Sequence, residues 1–137
     1  TGVQLEVGPA TPFEHRSYGQ ELALCQRYYQ VLGNESADVI GTTHKWNSSN
    51  TFAFCDLPVQ MRTVPSLHTN ISTSSSALRI SSSGYNATGN NLTLDGDSTV
   101  RKLRLNSTMT NSNFPNGSSG WLRINQPNIY VNLDAEV

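Results

Sequence analysis

Apolar and polar residues alternate along most of this chain, and one stretch near the start breaks the alternation. Val3-Gln4-Leu5-Glu6-Val7 repeats with period two, as a half-buried strand does. Leu22, Cys25, Tyr29 and Leu32 instead recur at steps of three and four, the spacing of an apolar stripe on a helix. Gly33-Asn34-Glu35-Ser36 closes that helix with a glycine and a polar turn. A Thr-Pro entry and the charged turn Glu14-His15-Arg16 join the strand to the helix. The predicted organisation is a closing strand and elbow left from a preceding module over 1–19, a helix over 20–33, and a β-domain over 34–137.

Behind the helix the period returns to two. Ala37–Thr43 reads as a strand, Lys45–Asn50 as a polar loop carrying Trp46, and Thr51–Leu57 as an apolar strand through Phe52 and Phe54. Val59–Arg62 alternates again until Pro65, and Ser66–Thr73 and Ser74–Ser83 follow as strands through Leu67, Ile71, Leu78 and Ile80. Gly84–Asn91 reads as a loop carrying Tyr85. Leu92–Asp95 runs into an Asp95-Gly96 hairpin turn whose return strand is Val100–Leu105. A loop over Asn111–Gly120 and two strands, Trp121–Asn125 and Ile129–Asp134, complete the chain. Strands at intervals of about ten residues between Gly, Pro and Asn turns predict an antiparallel β-sandwich, jelly-roll-like, with one short N-terminal α-helix.

Composition sharpens this. Only 36% of residues are hydrophobic and 14% charged, while Ser, Thr and Asn make up about a third of the chain. With a net charge of −1 this is not the low-hydrophobicity, high-charge signature of disorder. It fits short strands with polar outer faces. A chain of 137 residues buries about two-thirds of its unfolded surface as one domain. Near-neutral charge argues against nucleic-acid binding, and Arg101-Lys102-Leu103-Arg104 reads as a strand with Leu103 facing away from its basic neighbours. No apolar run reaches the length of a membrane span. Seven Asn-x-Ser/Thr sequons, at Asn34, Asn47, Asn70, Asn86, Asn91, Asn106 and Asn116, are first of all turn chemistry.

Reactive groups are sparse. Cys25 and Cys55 have neither metal nor redox spacing and read as small buried hydrophobes; a disulfide between them requires the helix to pack on the Cys55 strand. His15, His44 and His68 lack ligand spacing and read as structural. Asp95 and Asp97 resemble the start of a calcium loop, but the later carboxylate is missing, which leaves a hairpin turn. No catalytic residue, metal site or cofactor is predicted. Trp46, Tyr85 and Phe114, each in a polar loop, are candidate ligand-contact aromatics that can stack on a sugar ring. The alternative is that each caps the core from its loop. Trp46, Tyr85 or Trp121 would form a carbohydrate-binding platform if they share a face.

Three segments carry a resemblance: Gly2–Gly8, Ala10–Gly19 (ATPFEHRSYG) and Glu21–Tyr29 (ELALCQRYY). Together they resemble a junction found in bacteriophage structural proteins, especially long fibre and tail-associated proteins, where it follows a carbohydrate-binding-module-like jelly roll. The similarity continues thinly in Pro58–Arg62 and Asn132–Val137. It implies a non-catalytic virion protein, a homotrimer contacting other virion proteins, with the helix near the subunit interface through Leu22, Cys25, Tyr29 and Leu32. At about 25 cal/mol per Å² of apolar area, three such faces would contribute several kcal/mol to assembly. The leading expectation is the distal, receptor-binding domain of a tail fibre that attaches to a host glycan or protein. The alternatives are a capsid decoration or head-fibre protein and a carbohydrate-binding module.

Overall fold

The computed structural model describes residues 7–9, 12, 16–71, 76–82, 85–109 and 114–136. All of the expected strand Val3–Val7 except Val7, and most of the elbow, lie outside them. The only helix among the described residues, α1, runs Tyr18–Gln26. Ser17 caps it reciprocally: its hydroxyl accepts from the Gln20 amide at 3.3 Å, and its own amide donates to the Gln20 side-chain oxygen at 2.9 Å. The helix buries no residue.

The helix predicted over 20–33 is therefore too long. After a turn at Arg27 and Tyr28 the chain becomes strand β1, Tyr29–Gly33, paired antiparallel with the last strand, β10, Val131–Asp134. A partner a hundred residues away overrides the local helical period, because the ladder satisfies the backbone and buries Gln30 and Gly33. Gly33 is accordingly no helix cap. Its missing side chain admits Ile124, whose Cδ1 would lie 2.9 Å from a Cβ there.

Two antiparallel sheets form a curled, sandwich-like arrangement, as the alternation predicted. One has the order β1-β10-β4, with β4 at Ser66–Thr69. The other has seven strands. In sheet order they are β6 (Tyr85–Gly89), β5 (Leu78–Ser82), β9 (Ser119–Ile124), β2 (Val39–Lys45), β3 (Asn50–Asp56), β8 (Lys102–Thr108) and β7 (Thr93–Leu94). The core between the sheets is built from Leu78, Ile80, Leu103, Leu105, Leu122, Ile124, Val131 and Leu133, all essentially inaccessible. Leu103 faces inward and Lys102 outward, as the basic cluster predicted.

Four further boundaries differ. Val59–Arg62 forms no strand; Met61 is buried from an irregular segment held by its amide on the Val100 carbonyl. The predicted loop over 84–91 contains β6, which pairs along the full length of β5. β8 runs on past Leu105 to Thr108, its polar Asn106 and Thr108 alternating with buried Leu105 and Ser107. Lys45 ends β2 in the interior instead of opening a polar loop, its ammonium donating to the Phe114 carbonyl.

Candidate functional site

Strand β3 points its large side chains the unexpected way. Thr51 and Ala53 face the core, while Phe52 and Phe54 face away from it, Phe54 with half its surface (50%) exposed. The ladder carries this outer face across six strands. Asn86, Ser81, Trp121, Thr42, Phe54 and Arg104 are successive cross-strand neighbours on β6, β5, β9, β2, β3 and β8. The next row holds Ser119, His44, Phe52, Asn106 and Thr93. Trp121 is 58% exposed and Trp46, just past β2, 67%. The Trp46 ring meets Phe52 edge-on, with centroids 6.1 Å apart.

One end of this face is rigidly braced. The Arg104 guanidinium lies 4.6 Å from the Phe52 ring centre and pairs with both Asp95, at 2.7 Å, and Asp97. The two aspartates belong to the β7–β8 turn, where Asp95 also accepts the Asp97 amide at 3.1 Å. The chain reverses here into the antiparallel β7–β8 pair, but over the longer connection 95–101. Gly96 has no positive φ, so the tight Asp95-Gly96 turn read from the sequence does not form. Arg104, through its side-chain hydrogen bond first, and then the Asp97 amide hold the Asp95 carboxyl below its ordinary value of 3.8. Beside Trp121 lies a shallow recess of about 330 Å³ lined by Thr42, Ser82, Ser119, Gly120 and Trp121. A Cβ on Gly120 would overlap the Ser81 carbonyl oxygen, so glycine is what lets β9 lie this close to β5.

A second feature sits at the helix. Leu22, Cys25, Tyr29 and Leu32 line one groove of about 610 Å³, together with Val31, Val39, Cys55 and Pro58. Two of the four come from α1 and two from β1, so the predicted stripe is gathered by tertiary structure rather than by one helix face. Tyr18, Leu22, Leu24, Tyr28, Tyr29, Val31 and Val39 are all substantially exposed around it. Cys25 is exposed rather than buried, Cys55 is half-buried, and both are free thiols. Burial first, and the neighbouring Asp56 charge second, raise the Cys55 thiol above its ordinary pKa. Gln30 fastens the groove floor, donating to the carbonyls of Gln26 at 2.9 Å and Val59 at 2.7 Å.

The three candidate aromatics are not brought together. Trp46 lies on the outer face. Phe114 is 1% exposed and fills the core, so its ring is closed to any ligand, and Tyr85 leans on it edge-on at 6.4 Å, on the core side of the sheet and away from Trp46. The face is completed instead by Phe52, Phe54 and Trp121. From sequence Thr51–Leu57 reads only as an apolar strand, and an apolar strand does not say which of its faces is buried. Among the described residues no group of three His, Cys, Asp or Glu gathers, and no helix is long and apolar enough to cross a membrane. His44 and His68 are exposed on separate sheets, and His15 lies outside the described residues.

Fold and surface together define a β-sandwich domain with an open aromatic sheet face. No protein-family model, curated protein or solved structure matches the chain.

Proposed function

We propose that this chain is a non-catalytic bacteriophage virion domain, the distal, receptor-binding part of a trimeric tail fibre taking part in host attachment. The observation that carries it is the outward turn of Phe52 and Phe54, with Trp46 and Trp121 on the same sheet face. A monomer gains nothing from exposing that surface while Thr51 and Ala53 occupy the core, whereas a recognition surface uses rigid aromatics set among Ser, Thr and Asn. The junction resemblance over Ala10–Tyr29 supplies the virion context. The apolar groove around Leu22 and Tyr29 supplies a separate surface for subunit assembly.

Three measurements test the parts separately. Sedimentation of the purified chain is expected to give a trimer at micromolar concentration; a stable monomer overturns the assembly claim. Antibody labelling of virions is expected at the fibre tip, and label on the head replaces this reading with a capsid decoration or head-fibre protein. A trimeric sample is expected to adsorb to host cells, and failure to do so removes the receptor-binding role.

A further inference from the structure

Next to Trp121 the outer face breaks a rule of sheet pairing. Arg79 on β5 and Arg123 on β9 are direct cross-strand partners. Like charges directly opposite one another destabilise an antiparallel pair. Neither arginine is matched by an acid among the described residues, whose ion pairs engage Arg16, Lys102 and Arg104. The Arg79 Nε donates to Asn86 Oδ1 at 3.2 Å, which fixes the side chain over the sheet without neutralising it. Val39, the neighbour of Arg123 on β2, adds apolar surface rather than charge. The basic residue at the other end of the same face, Arg104, has two aspartates. The contrast locates an uncompensated positive site at one end of the sheet only.

Its surroundings state what fits. Trp121 precedes Arg123 by two residues, so the two side chains rise from the same face about 7 Å apart. The exposed indole offers a flat apolar surface. Thr42 flanks it across the β2–β9 ladder, and Ser119 and Ser82 line the recess on the side of Trp121 away from Arg123. Along β9 the indole thus has the two guanidiniums on one side and the hydroxyl-lined recess on the other, an order that matches a sugar ring stacked on Trp121 with its carboxylate toward the arginines. The recess volume is at the small end of ligand sites, about 300–1,000 Å³, and lies away from the arginines, so it suits part of the stacked ring or a neighbouring unit rather than the carboxylate.

We infer that this end of the outer sheet face binds an acidic saccharide, its ring stacked on Trp121 and its carboxylate held between Arg79 and Arg123. A carboxylate there converts a repulsive arginine pair into two charge-assisted hydrogen-bonding partners, so charge complementarity selects the acidic sugar over a neutral one. The inference rests on the recognition role proposed above and names the ligand class for it.

The chain has two tryptophans, so Trp46→Phe leaves Trp121 as the sole indole reporter. Fluorescence and calorimetric titrations of that variant use oligogalacturonate, oligomannuronate and sialyllactose, with methyl-esterified oligogalacturonate and lactose as neutral counterparts. At least one acidic probe is expected to change the Trp121 emission and to lose affinity as salt is raised. Esterification, or the double change Arg79→Gln with Arg123→Gln, is expected to weaken it by about tenfold or more. Unchanged circular dichroism and melting establish that the variants fold, and Trp121→Ala, followed by calorimetry, is expected to abolish binding. Equal affinity for acid and ester that also survives the double arginine change overturns the acidic site, as does a folded chain that binds none of the acidic probes. A trimer that adsorbs to host cells yet fails these titrations keeps the tail-fibre proposal and loses this one. A chain that binds the acids but labels no fibre does the reverse.

Discussion

Leu122 and Phe54 carry comparable apolar bulk and occupy opposite environments. Leu122 is inaccessible between the sheets, so Leu122→Ala is expected to cost about 2–5 kcal/mol, the range for truncating a core leucine. Phe54 keeps half its surface exposed in the single chain, and Phe54→Ser should cost markedly less than Leu122→Ala in urea denaturation, about 1 kcal/mol. A Phe54 penalty as large as that of Leu122 would mean that the outer face is not open. The Asp95–Arg104 pair makes a second residue-level prediction, in pH. Asp95 is held below its ordinary pKa, so its contribution is fully present above pH 3.8 and disappears as pH falls through the lower folded value. Thermal melts taken below pH 3.8 should fall more steeply for the parent than for Asp95→Asn. Parallel acid limbs would discard the pair as a stabilising contact.

At the scale of elements, α1 and β1 show where local pattern stops deciding. The helix start is written in Ser17 and Gln20, three residues apart as a capping box requires, whereas its end is written nowhere nearby. Tyr29–Gly33 is helical in period and strand in fact, because β10 and a buried Gln30 outweigh a helix that would bury nothing. Gln30→Ala is expected to orphan the Gln26 and Val59 carbonyls and to cost about 1–3 kcal/mol. Hydrogen exchange should place the loss at the α1–β1 corner, and protection that falls evenly over the whole sandwich would contradict that role. β3 and β6 teach the same lesson. β3 is recognisable as a strand, but Phe52 and Phe54 could be placed inside or outside only once β2 and β8 fixed the register. β6 reads as a loop until β5 lies beside it.

At the scale of the molecule, the two exposed apolar regions have separate duties in the proposed function. The groove at Leu22, Tyr29 and Val31 is the assembly surface, and the outer sheet face is the recognition surface. Leu22→Glu combined with Val31→Glu is expected to shift a sedimenting trimer to a monomer that keeps the parent's circular dichroism and melts without dependence on protein concentration, since neither residue is buried in the chain itself. A trimer that persists would move the subunit contact elsewhere. The sequence by itself determined the fold class and the strand-and-turn rhythm. Period and turn chemistry are local, and they survive any arrangement of the sheets. Only the tertiary structure decided where α1 ends, that Phe114 is core, that Phe52 and Phe54 face out, and that Arg79 meets Arg123. Each of these depends on which distant strand lies alongside, and strand pairing is settled by the burial of whole faces rather than by neighbours in the chain.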